Sequence, residues 1–138
     1  MEDQHGYARF EPLTEDESVD LLRTHEVGRV AWDGPEGPVI LPVAYAYADG
    51  LVAFRTAAAG VLARLAEATD VAFQIDDFDI DTATGWSVMM RARSRAVTDT
   101  AERKRWREAL PVPWASGARD LVIRLDPVEL TGRVVVRS

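Results

Sequence analysis

Asp49-Gly50 constrains this chain more than any other pair of residues. Ahead of it, Pro38 to Ala48 alternates, with Val39, Leu41, Val43, Tyr45 and Tyr47 on one face and small residues on the other. Behind it, Leu51-Val-Ala-Phe-Arg55-Thr56 is a second apolar run. An Asp-Gly pair between two such runs specifies a tight antiparallel hairpin. The hairpin sets the register, and the register decides which side chains are buried. Pro42 has no N–H for a ladder, so its strand is expected at an edge or with a bulge there.

The flanking segments continue the pattern. Thr14-Glu-Asp-Glu17 is a capping box, and the helix it opens is expected to run to about Arg23 with Val19, Leu21 and Leu22 facing inward. Val27 to Trp32 reads as a strand, and the turn-rich Asp33-Gly-Pro-Glu-Gly-Pro38 as a hairpin loop. A helix is expected over 57–68, then a strand over 71–76, an acidic loop and a long strand from Trp86 to about Val97. Asp99 caps a short charged helix ending near Leu110. Pro111 to Gly117 is irregular, and Pro127 is expected to divide two last strands, about 120–126 and 128–136. Residues 1–12 show no periodicity and read as a flexible N-terminal segment before one domain spanning 13–138. The fold class is mainly β with short helices (α+β), an antiparallel barrel of six or seven strands, closed or half-closed.

Composition excludes several functions. The 138 residues suit a single domain with its own core. No cysteine is present, which removes disulfides and thiolate metal sites and fits a reducing compartment. A net charge of −7 opposes nonspecific nucleic-acid binding. No apolar run approaches the ~18 residues of a membrane span. The acidic, polar start does not read as a secretory signal, so a cytoplasmic protein is expected. Two histidines, His5 and His25, are too few for a metal site, and His25 is expected to serve the carbonyls of the preceding helix.

Three constellations have competing readings. Asp77, Asp79 and Asp81 open like a calcium loop, but Thr82 and Val88 occupy the positions that need Gly and Glu. A solvated acidic turn is the expectation. Arg91, Arg93 and Arg95 share one face of a strand, either as an anionic groove or, as expected, paired with carboxylates across the ladder. Trp86, Val88, Met90 and Ala92 on the other face read as core. Trp114 is either a core plug or a ring lining a ligand or subunit contact.

Arg55-Thr56 is the sharpest functional signal. If a helix opens behind it, Thr56 is its N-cap, and the first turn is Ala57-Ala-Ala59 with no carboxylate to balance the dipole. A guanidinium, a hydroxyl and free amides then make a phosphate seat. The same residues also read as an ordinary capped helix beside a solvent-facing arginine.

Several segments, in order, resemble the pyridoxamine 5'-phosphate oxidase-like family of flavin-binding split barrels, in its short branch. They are Leu13-Thr-Glu-Asp-Glu, Val27-Gly-Arg-Val-Ala, Leu41-Pro-Val-Ala-Tyr45, Phe54-Arg-Thr56, Val71-Ala-Phe-Gln-Ile-Asp76, Gly85-Trp-Ser-Val88 and Val122 to Arg133. The resemblance implies a homodimer with FMN at the subunit interface and hydride transfer to or from a small substrate. It implies that Arg55 and Thr56 hold the phosphate, with Val61 and Leu62 beside it. Pro42, Val43, Ala44 and Tyr45 would lie against the ring. Trp86, Ser87 and Val88 would line the pocket from a neighbouring strand, and Trp114 would reach in from the partner subunit. No catalytic residue is implied.

Two departures matter. Val61 stands where the family has a phosphate-binding lysine, a loss of about tenfold to a hundredfold in affinity unless Arg64 substitutes. Ala44 stands where an asparagine is frequent. Two alternatives follow: a deazaflavin-dependent reductase using Arg91 to Arg95, and a non-catalytic ligand-binding dimer without flavin.

Overall fold

Asp49 and Gly50 both take positive φ, 55° and 77°, the turn that matches the right-handed twist of the strands it joins. It links β3 (Gly37–Ala48) to β4 (Leu51–Thr56) in a computed structural model that describes residues 8–111 and 121–137. The two strands pair only near the turn, from Tyr45↔Phe54 to Ala48↔Leu51, and then part. Along the rest of its length β3 pairs with β2 (Val27–Gly34), as far as Val27↔Ala44. β4 pairs on its other edge with β7 (Leu121–Arg137).

β5 (Asp70–Asp79) follows β2 in the sheet, and β6 (Thr84–Ala96) follows β5. β1 (Ala8–Pro12) lies outside β7. The order is β1-β7-β4-β3-β2-β5-β6, and β6 pairs back onto β7. All pairings are antiparallel, and they close six strands into a ring that is split between β3 and β4. The expected split barrel is the observed fold.

Three segments differ from expectation. Pro127 does not divide the last strand; it sits at a β-bulge where the register passes from Arg91↔Glu129 to Ala92↔Pro127, leaving Val128 as the extra residue. A bulge tolerates the missing N–H and bends the strand, so β7 continues to Arg137. Residues 8–12, expected to trail loosely, form β1 on the far edge of β7, from Ala8↔Arg137 to Pro12↔Arg133. Five residues are too few to show a period, and their partner is distant in sequence. Residues 1–7 lie outside the described residues.

The helix expected over 57–68 is instead a 3-10 helix, Val61–Ala66, entered through Gly60 without a side-chain cap. The chain must cross from β4 to β5 over the barrel, and the tight helix seats Leu65 fully in the core. Tertiary burial overrides the helix propensity of the alanines.

The capping predictions hold for the two α-helices. α1 (Glu15–Thr24) carries the full Thr14–Glu17 box, and α2 (Thr100–Ala109) starts at Asp99, whose carboxylate accepts from the Glu102 N–H at 2.9 Å. α1 lies across the barrel with Leu22 buried; Val19 and Leu21 are half-buried. α2 covers Ala53 and Val122 on the outer wall with Trp106. Ser18 packs so closely on Gly132 that a Cβ there would collide with its hydroxyl.

Tyr45 ties helix to barrel. Its ring meets Phe73 edge-on at 5.0 Å, and its hydroxyl donates to the Leu22 carbonyl at 2.8 Å in the core. Gly28 makes room, since a Cβ there would overlap the Phe73 ring. Burial, with Glu26 as a lesser cause, pushes the Tyr45 phenol above its ordinary range. Below about pH 10 the phenol is neutral in both states and its contribution is whole; above that the unfolded chain ionises first and the contribution fades.

Tyr45→Phe is expected to cost about 1–3 kcal/mol in chemical denaturation and to lessen the loss of stability above about pH 10. An unchanged midpoint would show that the bond to Leu22 contributes nothing. Gly28→Ala is expected to cost about 1–3 kcal/mol through overpacking.

Candidate functional site

The split in the ring is the candidate site. Tyr45 N–H donates to Glu26 O at 2.9 Å, so odd-numbered residues of β3 bond to β2 and even-numbered ones turn their backbone groups the other way. Pro42 is even-numbered, and no strand lies on that side of it among the described residues. Its missing N–H therefore falls on the open edge, as anticipated for this strand.

Across the split stands the end of β4. Phe54 points into the core; Arg55, next along, is half-buried on the outer face. Thr56 turns inward again and is only 6% exposed. Its hydroxyl makes no hydrogen bond among the described residues, although a buried hydroxyl ordinarily finds a partner. The space next to it belongs to Gly60, where a Cβ would lie 3.8 Å from the Thr56 oxygen. An orphaned buried donor beside a guanidinium is what an oxygen-rich ligand would complete.

The anion seat differs from its expected form in one respect. Thr56 is the last residue of a strand and caps no helix, so the seat has no helix N-terminus behind it. The polar side chains at this strand end are Arg55, on the outer face, and Thr56, turned inward. Val61 is 64% exposed, and Leu62 packs against the core. Arg64 does not stand in for a lysine: it faces Glu67 at 3.7 Å and Thr69 at 3.4 Å.

The other expected residues separate into two groups. Val43 and Tyr45 are core side chains, so β3 presents to the split only Pro42, Ala44 and its backbone. Trp86, Ser87 and Val88 are not on a strand neighbouring the seat. β2 and β5 lie between β3 and β6 in one direction, and β7 lies between β4 and β6 in the other. Val88 is core, Ser87 is half-buried on the outer face, and Trp86 meets His25 edge-on at 4.8 Å. Trp114 lies outside the described residues.

Arg29 is a member that the sequence reading passed over. It is exposed on β2, directly opposite Pro42 in register, and has no hydrogen bond or ion pair among the described residues. Its signal was the alternation of β2, with Val30 and Trp32 inward and Arg29 outward. The Arg91 row differs: Arg91 bonds Glu129 at 2.9 Å, Arg93 bonds Asp70 at 2.8 Å and Arg95 meets Asp126 at 3.1 Å. These arginines are ladder pairs, as expected. His25 Nδ1 lies 2.7 Å from the Leu21 carbonyl, so the imidazole closes the helix end. Asp79 accepts from the N–H groups of Asp81 and Thr82, an ordinary acidic turn. Among the described residues no group of acidic or histidine side chains could hold a metal ion, and no helix is long and apolar enough to cross a membrane.

Comparison with known proteins agrees with this architecture. The sequence profile described as pyridoxamine 5'-phosphate oxidase matches residues 14–134. An uncharacterized protein of Mycobacterium tuberculosis is 34% identical over 132 residues, covering 91% of this chain and 86% of its own. The structure of the FAD binding protein from Mycobacterium smegmatis superposes with a TM-score of 0.76 at 30% identity, covering 92% of this chain and 98% of that one. A FAD-binding protein from Mesorhizobium loti shares the fold, with a TM-score of 0.77 at 19% identity over 94% and 99% of the two chains. By its order of motifs, its split barrel and its match over nearly the whole length, this chain belongs to the pyridoxamine 5'-phosphate oxidase family.

Proposed function

We propose that this chain is a homodimeric flavin-binding protein that holds the nucleotide at the split between β3 and β4 and acts as an oxidoreductase on a small molecule. The observation that carries the reading is the buried, unbonded Thr56 hydroxyl beside Arg55, in a chain 30% identical to a FAD binding protein. The donor set fits a phosphate. Arg55 supplies charge and Thr56 a hydrogen bond from a site shielded from water. Pro42 and Ala44 offer a flat surface of small side chains to a planar ring. Arg29 adds positive charge on the same face. A bound flavin supplies the hydride chemistry; the protein supplies binding, orientation and exclusion of water.

The FMN implied by the resemblance and FAD differ at this seat. A terminal phosphate carries close to two negative charges at neutral pH, whereas each phosphate of a diphosphate carries one. Arg55 is the charged side chain at the end of β4, and Val61 is apolar. One charge per phosphate is the better match, so FAD is the favoured nucleotide. Support for the homodimer comes from the outer face of β2 and β3, where Ile40, opposite Ala31, is 61% exposed and Val27, farther along the same face, is 49% exposed. A second copy seated there would cover these side chains and bring its own residues to the split.

Equilibrium titration of the purified protein is expected to show tighter binding of FAD than of FMN. Arg55→Gln is expected to weaken FAD binding about tenfold to a hundredfold. Thr56→Val keeps the shape and removes the orphaned hydroxyl, so the ligand-free protein is expected to be as stable or more stable while FAD binding weakens. Val61→Lys is expected to raise FMN affinity about tenfold or more by restoring a cation. Failure of a folded dimer to bind either nucleotide would sink the flavin reading and leave a ligand-binding barrel. Light scattering that gave a monomer would remove the shared interface.

A further inference from the structure

The barrel has a second opening, away from the split. On the edge of β7 opposite β6, β4 pairs as far as Leu125 and β1 begins at Arg133. Asp126 to Gly132 has no strand on that edge among the described residues. Pro127 and the bulge residue Val128 lie in this stretch, and α1 crosses it, with the Leu13 N–H donating to Gly132 O at 2.9 Å. Between α1, the Asp49-Gly50 turn and the bulge is a cavity of about 370 Å³. A cleft of this size suits a small organic molecule.

Its lining is mixed: Val19 from α1, Leu130 from β7, the Tyr47 ring and buried Met90 are apolar, while Glu15 and Glu129 bring carboxylates. Val128 is 77% exposed at the rim, an apolar side chain that the bulge holds out beside the cavity. Two polar groups converge here. Glu15 has no hydrogen bond or ion pair among the described residues, and neither does the Tyr47 hydroxyl. The other nearby charges are matched: Arg23 pairs with Asp20 at 3.2 Å, and Glu129 with Arg91 at 2.9 Å. The unbalanced charge at the mouth is therefore the Glu15 carboxylate. Burial, with Glu15 as a lesser cause and Arg23 opposing, raises the Tyr47 phenol above its ordinary value, and the neutral hydroxyl can donate or accept.

We propose that this cavity binds a small organic cation, its ammonium group on Glu15 and the Tyr47 hydroxyl and its hydrocarbon or aromatic body against Val19, Leu130 and Val128. The Tyr47 ring adds a π face to the cation site. Nothing in this proposal uses the flavin seat, so it stands or falls separately.

The test is a titration of the full-length, isotope-labelled protein by NMR with 2-phenylethylammonium, and with phenylacetate as a similar ring of opposite charge. The ammonium probe is expected to give saturable shifts at Val19, Tyr47 and Val128, with phenylacetate at least about tenfold weaker. Glu15→Gln leaves the Thr14–Glu17 capping box in place and is expected to weaken the ammonium about tenfold. Val128→Lys, at the rim, is expected to weaken it by repulsion. Absence of saturable shifts at these residues, equal binding of the two probes, or an unchanged affinity in Glu15→Gln would overturn the assignment.

Discussion

The barrel closes through β7. One edge of this strand runs along β6, while the other is divided between β4 and β1. The bulge at Val128 falls in the stretch between these two partners and bends the strand there. Both openings in the ring follow from that arrangement. β4 is drawn to β7 and leaves β3 after Tyr45↔Phe54, which creates the split. The stretch of β7 between β4 and β1 is left without a strand, which creates the mouth under α1. Tyr45 then holds α1 over the barrel through the Leu22 carbonyl, so one core residue fixes a wall of each opening.

Charge is distributed to match. Arg91, Arg93, Arg95 and Arg124 are all engaged by carboxylates, as an acidic chain readily allows. Among the described residues Arg29 is not, and it stands beside Pro42 on the face that borders the split. Conversely, Glu15 at the mouth has no partner among the described residues. On the proposed readings the two openings differ in sign, one taking a phosphate and the other an ammonium.

Local rules in the sequence were legible wherever the structure obeys them locally. Asp49-Gly50 gave its turn, Thr14 and Asp99 their caps, and the Arg91 row its cross-strand carboxylates. What stayed hidden depends on distant partners. β1 is visible only once β7 has a free edge, and the continuity of β7 only once β6 absorbs the bulge. Ala57 to Ala66 has the composition of an α-helix, yet the need to bury Leu65 winds it as a 3-10 helix. Where the motif residues sit around the ring was not legible. Arg55 and Thr56 end the strand that borders the split, whereas Trp86 to Val88 lie on a strand three places beyond β3 because β2 and β5 intervene. Spacing along a chain carries no information about strand order around a ring.

The central claim is that the parted strands β3 and β4 form the flavin seat. Hydrogen–deuterium exchange of the full chain with and without saturating FAD tests it most directly. The account predicts slowed exchange at the open edge of β3 around Ala44 and from Arg55 through Val61, with the β3–β4 turn at Asp49-Gly50 unaffected. Binding without protection in either segment, or protection confined to β6, would contradict it.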